Sequence, residues 1–366
     1  MAQELDYAFK FGSGRYIQCP DAIHYIGKEA QKIGTKAYVI GGVTAFAITR
    51  SILESTLKEA DIQWVFTTYE GYTTHDASEK LAADAHAKGC DIIIGVGGGR
   101  IMDLAKAIAN YAKLPVISVP TQAATCAAYT PMSVMYTKEG GALGTIGGNF
   151  YHDFEVAVLI VDETIMLNQP ARYVASGILD AMAKYIEVQN GHSEMTFDQF
   201  NIELFTAYKL AEYTYEILEK TCLKIYDDIE NHRLTKEVHD YLFINFALTG
   251  MISGISKALG QTALAHELYY AARMFFTQES LSFLHGEIVG TGLILQLQYN
   301  NTPEKIEPFK AFMKKMGMPL TLGELGIPNT DSNFEKIYDY LKTTHFVRGN
   351  AQDNLLLYKS LQQIAD

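Results

Sequence analysis

Up to about residue 165, short apolar and β-branched runs alternate with stretches whose apolar positions recur at helical spacing. The short runs fall at residues 37–40, 63–67, 92–96, 116–119, 133–137 and 156–161. Strands separated by helices of this length predict βαβ units and a mainly parallel sheet, and such sheets bind ligands at the carboxyl ends of their strands. From Pro170 the period changes. Residues 171–189, 197–222, 237–259 and 288–299 carry apolar positions at helical spacing, with few strand-like runs. The capping and breaking residues between Asp162 and Pro170 mark the change. The expected architecture is an α/β nucleotide-binding domain with a parallel sheet over residues 1–165, followed by an all-α metal-binding domain over residues 166–366.

Length and composition agree with this division. A chain of 366 residues, 48% of them hydrophobic, fills two cores. The formal net charge of −12 argues against a nucleic-acid binder, which needs a positive footprint. No run reaches the ~20 apolar residues of a membrane span, and the first residues show no basic segment leading into an apolar one. A soluble cytoplasmic protein, acting on a small molecule as a homo-oligomer, is expected. The cysteines Cys19, Cys90, Cys126 and Cys222 are far apart and form no C-x-x-C. Any metal must therefore be held by histidine and carboxylate.

One turn is suited to a phosphate. The apolar run ending at Val96 leads into Gly97-Gly98-Gly99-Arg100, and residues 101–110 read as an Ala-rich helix. Glycines here let the backbone approach a pyrophosphate while the helix directs its N-terminal amides at the charge, and Arg100 adds a cation. A plain strand-to-helix turn that needs positive φ explains the same residues, and the third glycine falls too early for G-x-G-x-x-G. A second loop, Pro120-Thr121-Gln122-Ala123-Ala124-Thr125-Cys126, follows the next strand and is placed beside the first.

Three polar residues stand out in apolar helical surroundings: Asp180, His266 and His285. A buried carboxylate needs a partner. A set of two histidines and one carboxylate with an open position suits Zn²⁺ or Fe²⁺. His266-Glu267 is followed by Tyr270 where a metalloprotease needs its second histidine, so that reading fails. The remaining histidines, His24, His75, His86, His152, His192, His232, His239 and His345, read as surface or structural, with His232 and His239 solvated. A dinucleotide in one half and a metal in the other together imply metal-assisted hydride transfer.

The glycine turn with Asp103 and Lys106, the Pro120-Thr121 loop, Gly177 to Asp180, Ala265-His266 and His285-Gly286-Glu287 resemble the iron-containing (group III) alcohol dehydrogenases. Their order and spacing are similar to the glycerol dehydrogenase branch over essentially the whole chain. The resemblance implies an active site in a cleft between an α/β and a helical domain. It implies that Asp180, His266 and His285 bind the metal. It places Gly97, Gly98, Gly99, Asp103, Thr121, Thr130, Met132 and Tyr136 around the nicotinamide cofactor.

Three departures bear on the substrate. Where glycerol dehydrogenases place an Asp that touches the polyol, this chain has Cys126; where they carry a second His three residues after the first, it has Tyr269. Lys184 stands where a four-ligand branch has a further His. The stretch 123–131 with Lys184 is similar to the hydroxycarboxylate dehydrogenase A type. The expected reaction is hydride transfer between NAD(P)H and a small 2-oxo acid or 2-hydroxy acid, with Cys126, Lys184 and Tyr269 at the substrate; Lys184 either holds a carboxylate or pairs with a neighbouring acid. Glycerol dehydrogenation is the alternative. Two rivals are a dehydroquinate-synthase-like lyase and a nucleotide sensor with a structural metal. The strand at 37–40 ends in Gly41-Gly42-Val43-Thr44 without a carboxylate to repel a 2′-phosphate, so both NAD(H) and NADP(H) are expected.

Overall fold

The computed structural model describes residues 10–191, 201–256 and 262–365. His192, the start of the helix expected at 197–222 and the end of the one expected at 237–259 lie outside the described residues.

Six strands form one parallel sheet: β1 (Ser13–Cys19), β2 (Lys36–Gly41), β3 (Gln63–Thr68), β4 (Ile92–Gly97), β5 (Val116–Pro120) and, after two short strands, β8 (Val156–Asp162). Their order is β1-β8-β5-β4-β2-β3. Side chains alternate across the sheet as the strand period requires. Val39, Ile94 and Val119 face the helix Val43–Glu59 through Phe46, Leu53 and Leu57. Tyr38, Ile40 and Ile93 face the opposite layer, where helices His75–Ala87 and Gly99–Ala112 supply Ala82, Leu104 and Ile108. Burying each of these large apolar side chains contributes about 1.5–3 kcal/mol before entropy is charged against it. The chain leaves β2 toward β3 on one side and returns to β4 on the other. The connections after β2 and β4 therefore diverge over opposite faces and open a crevice at Gly41 and Gly97.

The segment at 133–137 does not join this sheet. Met132–Val134 (β6) instead pairs antiparallel with Asn149–Tyr151 (β7) in a separate ribbon. Lys106 explains the departure: its buried ammonium takes the carbonyls of Thr130, at 2.9 Å, and Met132, tying the segment to the flank of helix Gly99–Ala112. Strand β1 was not foreseen, because an edge strand with polar Ser13, Arg15 and Gln18 lacks the continuous apolar run of its neighbours.

Beyond Asp162, which caps the next helix by accepting from the Ile165 amide, the described elements are helices. Their common core joins Ile178, Leu179 and Met182 to Leu264, Leu268, Ile288 and Leu293. The region expected as one helix at 237–259 is divided. A π turn, Ile244–Leu248, separates Lys236–Phe243 from Thr249–Ile255.

Candidate active site

The crevice is shaped by glycines for identifiable reasons. Gly97 closes β4 with φ +156°, and Gly98 caps the following helix where a Cβ would lie 2.0 Å from the Gln122 amide. The second loop therefore crosses over Gly98, and the Thr121 amide donates to the Gly97 carbonyl at 3.0 Å. Helix Gly99–Ala112 starts here, leaving first-turn amides without helical acceptors. Arg100 is exposed, with its guanidinium 5.0 Å from the centre of the Tyr72 ring. One turn on, Asp103 and Lys106 form a buried pair 3.0 Å apart. Burial pushes the Asp103 carboxyl up and the Lys106 ammonium down, each opposed by the other's charge. Through Lys106 and a 2.6 Å bond from the Ser133 hydroxyl to the Asp103 carbonyl, this helix positions Thr130, Met132 and the strand that leads to Tyr136.

Asp180, His266 and His285 meet. One oxygen or nitrogen from each lies within 4.8 Å of the others. Asp180 Oδ1 is 3.6 Å from His266 Nε2 and 3.5 Å from His285 Nε2. Helix Ala171–Val188 carries Asp180, helix Leu264–Phe275 carries His266, and His285 opens helix His285–Tyr299. These helices approach closely because of glycines. A Cβ at Gly286 would lie 1.9 Å from the Ser176 carbonyl oxygen, and one at Gly177 would lie 2.1 Å from the Ala123 carbonyl oxygen.

Glu187, which sequence reasoning missed, orients the set. Its carboxylate accepts from the amides of Ala263 at 2.6 Å and His266 at 2.9 Å, and also engages His266 Nδ1. That leaves His266 Nε2 for Asp180 and the ligand position, the usual arrangement behind a metal-binding histidine. Asp180, Lys184 and Glu187 share one helix face at i, i+4 and i+7, a charged stripe in an apolar helix that signals the site. Glu287 was read only as part of a motif. It caps the His285 helix by accepting from the Leu284 amide, and it forms a two-pronged pair with Arg172, both bonds 2.6 Å.

The electrostatics suit a cation. Burial alone would raise the Asp180 carboxyl, but Lys184 and the two histidines hold it well below the usual carboxylate range. Burial, with the neighbouring His266 and Lys184, lowers the His285 pKa against the pull of Asp180, which favours the neutral imidazole. Burial also opposes charge on His266, yet Glu187 and Asp180 outweigh it and raise its pKa. One carboxylate and two imidazoles in this arrangement fit a divalent ion of the zinc or iron type.

Lys184 Nζ lies 3.4 Å from Asp180 Oδ1, so it pairs with the ligand set itself. Cys126 feels both of these charges, and burial pushes its thiol up to about 12. The Tyr269 ring meets the His285 ring edge-on at 4.4 Å, and its hydroxyl is 2.9 Å from that of Tyr136. The helical half also holds the second loop. The Tyr241 hydroxyl approaches the Ala123 carbonyl at 2.6 Å, and Asn245, in the π turn, donates to the Thr125 carbonyl at 3.2 Å. Asp180, His266 and His285 thus come together with Cys126, Lys184, Tyr136 and Tyr269 around them. Of the histidines read as peripheral, His152 is buried, with Nε2 2.8 Å from the Ser133 hydroxyl. His239 and His232 are bonded rather than simply solvated, to Glu163 and to the Leu167 carbonyl.

Residues 13–162 match the family model for iron-containing alcohol dehydrogenases. A glycolaldehyde reductase of Halobacterium salinarum is 29% identical, over 86% of this chain and 84% of its own. Hydroxycarboxylate dehydrogenase A of Escherichia coli is 29% identical over 74% of this chain and 72% of its own, and several glycerol dehydrogenases also match. In fold, the crystal structure of a Schizosaccharomyces pombe glycerol dehydrogenase superposes with a TM-score of 0.83, at 23% identity, over 98% of this chain and 90% of that one. Residues 13–162 thus form an iron-containing alcohol dehydrogenase domain, and over most of its length the chain is similar to enzymes that are oxidoreductases of the alcohol type.

Proposed function

We propose that this enzyme transfers hydride between NAD(H) or NADP(H) and a small 2-oxo acid or its 2-hydroxy acid. In this reading Asp180, His266 and His285 hold one zinc or iron ion, between a domain of residues 1–165 and one of residues 166–366. The observation that carries it is the convergence of those three side chains beside Cys126 and Lys184.

When bound, the metal supplies Lewis-acid polarisation of a substrate oxygen and the nicotinamide supplies or accepts the hydride. The chain does the positioning. Gly97, Gly98 and Gly99 admit the cofactor phosphates, and Thr121 lies beside them. Asp103, Thr130, Met132 and Tyr136 flank the nicotinamide, the middle two through backbone held by Lys106. Glu187 keeps His266 in its ligand tautomer. Cys126 stays protonated and neutral at physiological pH, where a carboxylate would repel an acid substrate and favour a polyol. Lys184 offsets the negative charge of Asp180 and Glu187 near that substrate.

Glycerol and dihydroxyacetone exchange is the second reading, supported by the glycerol dehydrogenases among the relatives. The two are separated by comparing kcat/KM for reduction of 2-oxo acids with that for glycerol oxidation and dihydroxyacetone reduction. A clear preference for oxo acids is expected, and a preference for the polyol couple overturns the acid reading.

A further inference from the structure

Among the described residues, Arg273 is a buried cation without an ion-pair partner. It is only 8% exposed, its Nε has no hydrogen-bond partner, and it has no ion pair among the described residues. One terminal nitrogen donates to the Phe283 carbonyl at 2.7 Å. A guanidinium does not shed its proton, and a cation removed from water without an anion is costly. Such a position calls for an anion that the described residues do not provide.

Its place on the fold says which anion. His266, Tyr269 and Arg273 stand at i, i+3 and i+7 on helix Leu264–Phe275 and share one face. Long side chains lean toward the helix N-terminus, and the guanidinium carbon comes to 5.7 Å from the centre of the Tyr269 ring. That ring rests against His285, and its hydroxyl meets the Tyr136 hydroxyl. The guanidinium also faces the Tyr269 hydroxyl, while its Nε is left without a partner. Arg273 starts seven residues, about 10 Å of helix rise, beyond His266, farther than a carboxylate on the reacting carbon reaches from the candidate metal ligands.

We propose that Arg273, with the Tyr269 and Tyr136 hydroxyls beside it, binds a second carboxylate at the far end of the substrate, several bonds from the reacting carbon. The inference rests on the oxo-acid reading above and narrows it to oxo-diacids. Arg273 is then the residue that determines specificity for chain length and terminal charge, while Lys184 remains paired with Asp180.

The test compares 2-oxoglutarate with 2-oxopentanoate, which has the same five-carbon chain and a methyl group in place of the distal carboxylate. The wild type is expected to favour the diacid at least tenfold in kcat/KM. R273Q is expected to lose that ratio and R273K to keep part of it, with metal content and NADH binding measured on each variant to establish that the site is intact. A role confined to pinning the Phe283 carbonyl would lower both substrates alike, and an unchanged ratio in R273Q overturns the proposal. Should R273Q not fold, the wild type decides: a ratio near one overturns it. Wild-type preference for dihydroxyacetone over both acids brings down the oxo-acid reading as well, a result distinct from either of these.

Discussion

At the scale of single residues, the contrast between Asp180 and Glu187 shows what a chain discloses about its own chemistry. Asp180, His266 and His285 were legible because each is a polar residue in an apolar helix, where its presence demands a partner. Glu187 was not, since its partner lies 79 positions away and only the packing of two helices brings them together. E187Q removes the charge behind His266 and is expected to weaken metal binding about 10–100-fold. Titrating the apo-protein with zinc checks this, and an unchanged affinity would remove Glu187 from the site. The raised His266 pKa has a signed consequence: a proton must leave before Nε2 can serve as a ligand. Metal affinity should therefore rise as pH increases through and above the ordinary imidazole range. A flat profile would place the proton elsewhere. C126D places a carboxylate beside Asp180 and Lys184, and should move the kcat/KM ratio toward dihydroxyacetone and away from oxo acids. No movement in that ratio would separate Cys126 from substrate choice.

At the scale of elements, close approach rather than propensity brings the ligands together. Helix Ala171–Val188 crosses the second loop at Gly177, where any side chain meets the Ala123 carbonyl and the Tyr241 hydroxyl. G177A is expected to cost about 1–3 kcal/mol through overpacking, read as a lowered melting temperature together with reduced metal occupancy. An unaltered melt would show that the contact yields easily. The buried strands were legible from their apolar runs, whereas the ribbon of β6 and β7 was not, because its place depends on Lys106 reaching two carbonyls from another element. The tip of β2 makes a prediction of its own. Gly41 and Gly42 present no carboxylate, and a Cβ at Gly42 would meet nothing within 4 Å, so a ribose 2′-phosphate has room. Measurable rates with both NADH and NADPH are expected; no detectable NADPH rate would contradict this.

At the scale of the whole molecule, neither half supplies the proposed site alone. The parallel sheet supplies the crevice, the helices supply Asp180, His266 and His285, and the contacts of Tyr241 and Asn245 with the second loop hold the two together. The change from strand to helical period near residue 165 was readable because strands and helices each bury a periodic apolar face, although the helical core also takes in Met102, Leu159 and Val161 from the α/β part. The polar contacts between the two parts were not readable, since they use single side chains with no periodic signature. The central claim is that one metal ion at Asp180, His266 and His285 is required for hydride transfer. Metal content and NADH oxidation with an oxo acid, measured on one sample as isolated, after chelation and after reloading with zinc or ferrous iron, test it most directly. The account predicts one ion per chain, loss of turnover with the ion while the protein stays folded, and recovery on reloading, with H285A neither retaining metal nor turning over. Full turnover in the chelated protein, or in H285A, would contradict it.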